Sequence, residues 1–247
     1  MISIVVLALL LGTRTEGLSF TPASGDFVLD VAVMYDTAYV GRLNATANVS
    51  GDIEDLFAEV KKTLQRLCHP TVYLELRNVT KLHSGRLLAL TGKYPKVIIS
   101  NMTAENMYRR FGARTPGADV VLLMSGYELW NGYTAYKDGD AHPKQFCKGT
   151  QYAVISASGT REENIFAVTR FFGRLLGSKY DEQHDRKYAR CRPHPGYAMS
   201  DYPRDGKPTG YGFTPCSLGD IQKNLRAIQD RYPRCFAPSS SGNLLPI

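Results

Sequence analysis

Short apolar, β-branched runs alternate with stretches of helical periodicity over residues 18–177. Val28–Met34, Thr71–Arg77, Lys96–Ser100, Asp119–Ser125 and Tyr152–Ala157 are each a few residues long with turn formers near their ends, the pattern of strands. Between the first two, Ile53, Leu56, Phe57, Val60, Leu64 and Leu67 recur at helical spacing behind Asp52, a suitable N-cap. Thr103–Phe111 predicts a second, shorter helix. A third runs from Thr160, which forms a capping box with Glu163, to the terminator Gly177. On it Ile165, Val168, Phe172, Leu175 and Leu176 share one side. Arg170 and Arg174 lie one turn apart on the other, in a row with Glu163 and Ala167. One face is expected in the core, and the other is expected to present two guanidinium groups.

This strand–helix–strand alternation predicts an α/β fold, with a mixed, mostly parallel twisted sheet covered by helices. After Gly177 the composition turns to loop, with prolines at 193, 195, 203, 208 and 215. A last helix is expected after Ser217, boxed with Asp220, with Leu218, Ile221, Leu225 and Ile228 facing inward. The expected division is a leader at 1–17, an upper α/β subdomain at 18–177, and a lower C-terminal subdomain at 178–247 that ends in a Ser/Gly/Pro tail.

Ile2–Leu11 is apolar but about half the ~20 residues needed to cross a bilayer, and small and polar residues follow it. It reads as a signal peptide cleaved near Gly17, which predicts a secreted, extracellular protein without a membrane span. Sequons at Asn44, Asn48, Asn78 and Asn101 agree with export and predict a glycoprotein. Five cysteines in an oxidising compartment allow two disulfides and one odd thiol. Cys147, Cys191, Cys216 and Cys235 crowd the C-terminal part; Cys68 is the expected leftover, as a buried free thiol or an intermolecular link. Lys and Arg number 30 against 23 Asp and Glu, a formal net charge of +7. The basic residues are scattered, so the surplus implies only weak attraction to anionic glycans, and no motif points to nucleic acid.

The run Arg170-Phe-Phe-Gly-Arg174-Leu-Leu-Gly177-Ser-Lys-Tyr180-Asp181 resembles the zinc helix of metzincin proteases, H-E-x-G-H-x-L-G-x-x-H-D. Downstream, Gly196-Tyr-Ala-Met199-Ser200 resembles their Met-turn. Thr214-Pro-Cys216-Ser217 and Pro233-Arg-Cys235 resemble the end of reprolysin (adamalysin-type) domains, particularly those secreted in arthropod (tick) saliva. The resemblance runs from about Val28 to Cys235. It implies a metzincin-like fold, and disulfides Cys147–Cys235 and Cys191–Cys216. The family carries a pro-segment; here the first predicted strand follows the leader by about ten residues, which implies none.

Carried over position by position, the resemblance places the first zinc histidine on Arg170, the catalytic glutamate on Phe171, the second histidine on Arg174 and the third on Tyr180. Gly173, Leu176, Gly177, Asp181 and Met199 keep the family's residues. Zinc needs three donors with lone pairs and an open position for water. A guanidinium has no lone pair and does not lose its proton. At ~4 Å from a dication it would repel the ion by ~8 kcal/mol at an effective dielectric of ~20. Phenylalanine cannot act as the general base. The resemblance therefore implies a pseudoprotease: no catalytic residues, no cofactor, and a binding or modulatory role toward host extracellular proteins.

Two alternatives stay open, an active zinc endopeptidase with displaced ligands and a basic toxin that binds glycans or membranes. The two arginines could hold a partner's acidic group, or pair internally with Glu163, Asp181 or Glu182 as a plug. His184, four residues past Tyr180, reads as a surface-loop histidine, and Asp138-Gly-Asp140 reads as a turn.

Overall fold

A computed structural model describes residues 26–43, 48–67, 70–83, 85–92, 96–112, 115, 117–130, 135–136, 139–141, 147, 149–157, 160–184, 191–194, 196–200 and 211–233. The expected leader at 1–17 and the sequon at Asn44 lie outside them, as do Cys68 and Cys235.

The strands are β1 (Phe27–Tyr35), β2 (Val72–Lys81), β3 (Ile98–Ile99), β4 (Val120–Ser125), β5 (Leu129–Trp130), β6 (Ala135–Tyr136), β7 (Gly139–Ala141) and β8 (Gln151–Ser156). The helices are α1 (Thr37–Val40), α2 (Val49–Leu67), α3 (Ser100–Phe111), α4 (Arg161–Leu175) and α5 (Pro215–Arg231). The main sheet has the order β2-β1-β4-β8-β7. Its first four strands are parallel, and β7 joins β8 antiparallel. The fold is the mixed, mostly parallel α/β class that the alternation predicts. Strands β3, β5 and β6 form a second, small sheet.

The sheet divides the core in two. On one face Leu29, Val31, Leu122 and Ile155 pack against α2 and α4. There Phe57 meets Phe172 edge-on at 6.2 Å between ring centres. On the other face Ala32, Met34, Leu123 and Tyr152 pack against Met107 of α3. Strands β4 and β8 are buried throughout, as expected of central parallel strands covered on both sides.

Several boundaries differ from expectation for local reasons. Helix α2 begins at Val49, because the Asn48 carbonyl accepts the Asp52 N–H and its side chain accepts the Gly51 N–H. Asn48 is thus the cap, and Asp52 sits in the first turn, where a negative charge favours the helix dipole. The cap of α5 is Thr214, not Ser217: Pro215 opens the helix, and the Ser217 N–H donates to Thr214 Oγ1. Leu218 and Ile228 are only half-buried, while Ile221 and Leu225 are buried. The expected strand at 96–100 shrinks to β3, and Ser100 already starts α3. Asp138-Gly-Asp140 is not simply a turn, since Gly139 and Asp140 belong to edge strand β7. Among the described residues no helix is long and apolar enough to cross a membrane.

Candidate functional site

Helix α4 forms the floor of the site. The reciprocal bonds of its capping box are both present: the Thr160 N–H donates to Glu163 Oε2 at 2.6 Å, and the Glu163 N–H donates to Thr160 Oγ1 at 3.3 Å. The helix then runs through the middle of the molecule with every residue from Ala167 to Gly173 buried. The expectation of one core face and one open face is therefore only half met. Arg170, placed on the open face by helical spacing, is itself just 8% exposed, while Arg174 one turn on is exposed.

Two segments close over Arg170. Residues 196–200 make a tight turn in which the Ser200 N–H donates to the Tyr197 carbonyl, and the Ala198 N–H bonds the Gly212 carbonyl. Met199 at its bend is fully buried. This turn lies directly against α4 at Gly173: a Cβ there would sit 2.7 Å from Met199 Sδ and 2.6 Å from Phe213 Cε1. Glycine at 173 is thus a packing requirement. The second segment begins where α4 ends at Gly177, whose φ of +98° suits a residue without a Cβ. It delivers Tyr180 back over the helix.

These segments bring Arg170, Arg174, Tyr180 and Met199 together. Arg170 Nη1 donates to the Ser200 carbonyl at 2.9 Å. Its guanidinium lies 4.5 Å from the centre of the Tyr180 ring and 5.8 Å from that of Phe166. The Arg174 guanidinium lies 5.2 Å from the same Tyr180 ring, and its Nη1 donates to the Gly139 carbonyl of β7 at 3.4 Å. One phenol ring thus serves two cations, each contact worth ~0.5–2 kcal/mol depending on desolvation. Phe171 points into the core, 4% exposed and edge-on to Phe172 at 5.2 Å.

Of the acids expected to pair with the arginines, Glu163 and Asp181 make other bonds. Glu163 completes the helix cap. Asp181, 1% exposed, accepts the hydroxyls of Thr214 and Ser217 on one oxygen, at 2.8 and 2.7 Å, and its N–H donates to the Met199 carbonyl. It locks the Met199 turn to the start of α5. His184 is no surface-loop histidine: it is 13% exposed, with Nε2 3.4 Å from Asp220 Oδ2 on α5.

Burial raises the Asp181 carboxyl above the ordinary carboxylate range, Ser217 and Thr214 pull it down, and Glu182 adds to the rise. A folded-state pKa above the unfolded value means that the contribution is full below the unfolded value of about 3.8. It is lost as pH rises through the folded value. Asp181→Asn keeps the acceptor oxygen and removes the charge. Wild type should therefore gain stability relative to Asp181→Asn as pH falls from 7 toward 4, read as a shift of the melting-temperature difference in favour of wild type. A pH-independent difference would show that the carboxyl titrates alike in both states.

Cys191 and Cys216 form a disulfide with Cα atoms 5.3 Å apart, tying the segment before the Met199 turn to α5. Cys147 is also disulfide-bonded, and Cys235, the partner implied for it, lies outside the described residues. Of the sequon asparagines, Asn48 and Asn101 are exposed and Asn78 is half-buried in β2.

The site does not fit zinc. The two guanidinium groups offer a zinc ion no lone pair, and Arg170 donates to the Ser200 carbonyl. Among the described residues no group of three or more His, Cys, Asp or Glu side chains is placed to hold a metal. What the cluster can do chemically is bind negative charge or aromatic faces.

Comparison with known proteins bears on the fold. No protein-family profile matches the chain, and no curated protein sequence does. Among solved structures it is similar to archaemetzincin from Methanopyrus kandleri, at 12% identity and a TM-score of 0.47, over 84% of this chain and 99% of that one. It is also similar to a chain of a chaperone–substrate complex, at 13% identity and a TM-score of 0.51, over 83% of this chain and 35% of that one.

Proposed function

We propose that this chain is a secreted, reprolysin-like member of the metalloprotease-like folds that has exchanged its metal centre for a cation–aromatic cluster. On this reading it works as a binding module toward extracellular proteins of a host. The observation that carries it is the convergence of Arg170, Arg174 and Tyr180 above Met199, with Arg170 sealed to the Ser200 carbonyl. The positions that would have to donate electrons to a metal are filled by groups that hold each other. The cluster keeps the Met199 turn and β7 bridged to α4. Buried Arg170 is the strut of this arrangement. Arg174, exposed beside the β7 edge, offers a partner's carboxylate a planar pair of donors.

The test is metal analysis of the folded, secreted protein after incubation with zinc and removal of free ion, paired with a broad protein-substrate screen with and without chelator. The expected result is well under one zinc per chain and no chelator-sensitive cleavage. Stoichiometric zinc with cleavage that a chelator abolishes would overturn the reading in favour of displaced ligands.

A further inference from the structure

Strand β2 is the outermost strand of the main sheet, ten residues long and paired on one side with β1. Among the described residues no strand pairs with its other side. A long free edge is a template for pairing with a second chain, and folded proteins blunt such edges with charge, bulges or a cover. The first part of β2 carries such devices. Glu75 is ion-paired to Lys61 of α2 at 2.8 Å, and Arg77 to Asp30 of β1 at 2.7 Å. From Asn78 to Thr80 the edge reads Asn-Val-Thr, without a charge before Lys81.

A bulge reorganises this stretch. Val31 pairs with Leu76 and Ala32 with Asn78, so Arg77 is the extra residue. Val72, Leu74 and Leu76 belong to the α2 side of the sheet, and the bulge shifts the phase so that Val79 joins them, paired with Val33. Asn78 and Thr80 are thereby set in register with Ala32 and Met34, which belong to the opposite core. Asn78 is half-buried and borders an open groove of about 530 Å³ between α2 and the outer side of β2, which it shares with Ser50, Glu54 and Lys61 of α2 and with Leu76.

We propose that Asn78 is N-glycosylated and that its glycan is the steric cover of the free β2 edge, keeping the chain monomeric. The inference rests on the export reading above. In the transfer, Asn78 Nδ2 bonds the anomeric carbon of a lipid-pyrophosphate-linked oligosaccharide. The lipid pyrophosphate leaves from that carbon, the amide nitrogen gives up one proton, and nothing is oxidised or reduced. The glycan starts in the uncharged gap between Arg77 and Lys81, where the built-in edge devices stop.

The experiment is secretion of the full chain, with its own leader, from eukaryotic cells, followed by site-resolved glycopeptide mapping and light scattering. Expected are an occupied Asn78 and a monomer. Asn78→Gln and Thr80→Ala should each self-associate, with about a doubling of mass at tens of micromolar, whereas Thr80→Ser, which keeps the sequon, should not. Asn78→Lys should restore the monomer by supplying edge charge in place of the glycan. If the variants fail to fold, native enzymatic deglycosylation of the wild type gives the same reading. A secreted protein modified at Asn48 or Asn101 but bare at Asn78 overturns the proposal alone, as does a monomer after deglycosylation. A chain retained in the cell with no sequon modified overturns both the proposal and the export reading.

Discussion

Arg170→Ala should lower the melting temperature by about 6–12 °C. The truncation takes the Nη1 donor from the Ser200 carbonyl and opens space between Phe166 and Tyr180. Losing a charge-assisted bond in a buried setting costs ~1–3 kcal/mol, and the lost packing of the arginine stem adds to it. A total of ~3 kcal/mol converts at ~2–4 °C per kcal/mol for a chain of this size. Arg170→Lys should lie between, because an ammonium keeps the charge but not the planar fork that reaches a carbonyl while stacking on a ring. Arg174→Ala should move the melting temperature by less than ~2 °C, since that side chain is exposed and its bond to Gly139 is long. Calorimetry on the three variants checks the ranking. Equal, small effects at 170 and 174 would mean that Arg170 is not the strut of the cluster.

The contrast between these two arginines is the part of the site that helical spacing could not supply. Periodicity puts 170 and 174 in one row; it cannot say that the Met199 turn comes down on the first and leaves the second open. What closes the site is tertiary. Residues some thirty positions downstream provide Ser200, and an antiparallel edge strand provides the Gly139 carbonyl. The local chemistry was legible: Thr160 and Glu163 cap α4 as read, and Gly177 ends it in the left-handed region. The Cys191–Cys216 bridge agrees with the pairing that the family resemblance implied.

Where sequence reading missed, two competing effects were at work. A helix start goes to the residue whose carbonyl and side chain both fit. Asn48 and Thr214 therefore displaced the acidic and serine caps placed a few residues later. Strand β7 is only three residues long and was hidden in a Gly/Asp-rich stretch. The β2 bulge, by contrast, did leave a trace. Apolar positions 72, 74 and 76 keep period two and then jump to 79, an odd step that only an extra residue in the strand can absorb.

Gly126→Ala should be more damaging than any change at the cation cluster, with a loss of ~4 kcal/mol and ~8–16 °C in melting temperature. Gly126 follows β4 where α1 crosses it. An added Cβ would lie 2.5 Å from the Tyr39 amide nitrogen, and closer still to the carbonyl carbon and oxygen of Ala38. These are backbone atoms, so no rotamer change relieves the overlap and α1 has to move away. Asp36 resists that movement. Its carboxylate, 2% exposed, accepts the Tyr39 N–H at 2.7 Å, the Gly126 N–H at 3.2 Å and the Ser125 hydroxyl. Displacing α1 stretches at least two of these bonds, each worth ~1 kcal/mol, on top of ~1–3 kcal/mol of overpacking. Ser125→Ala removes two bonds without steric conflict, the one to Asp36 and the one accepted from the Tyr127 N–H at 3.1 Å, and should cost ~1–2 kcal/mol, which separates the hydrogen-bond share from the clash. The native state offers a second readout. The Tyr39 hydroxyl is pushed up to about 12, first by burial and then by Asp52, with Arg161 opposing. If α1 lifts, that phenol meets water and titrates nearer the ordinary value of ~10. A tyrosine titration by ultraviolet difference, with Tyr39→Phe in each background to isolate the group, should show the shift in Gly126→Ala and not in Ser125→Ala. An unshifted Tyr39 with a small stability loss would mean that α1 has room to spare at this crossing.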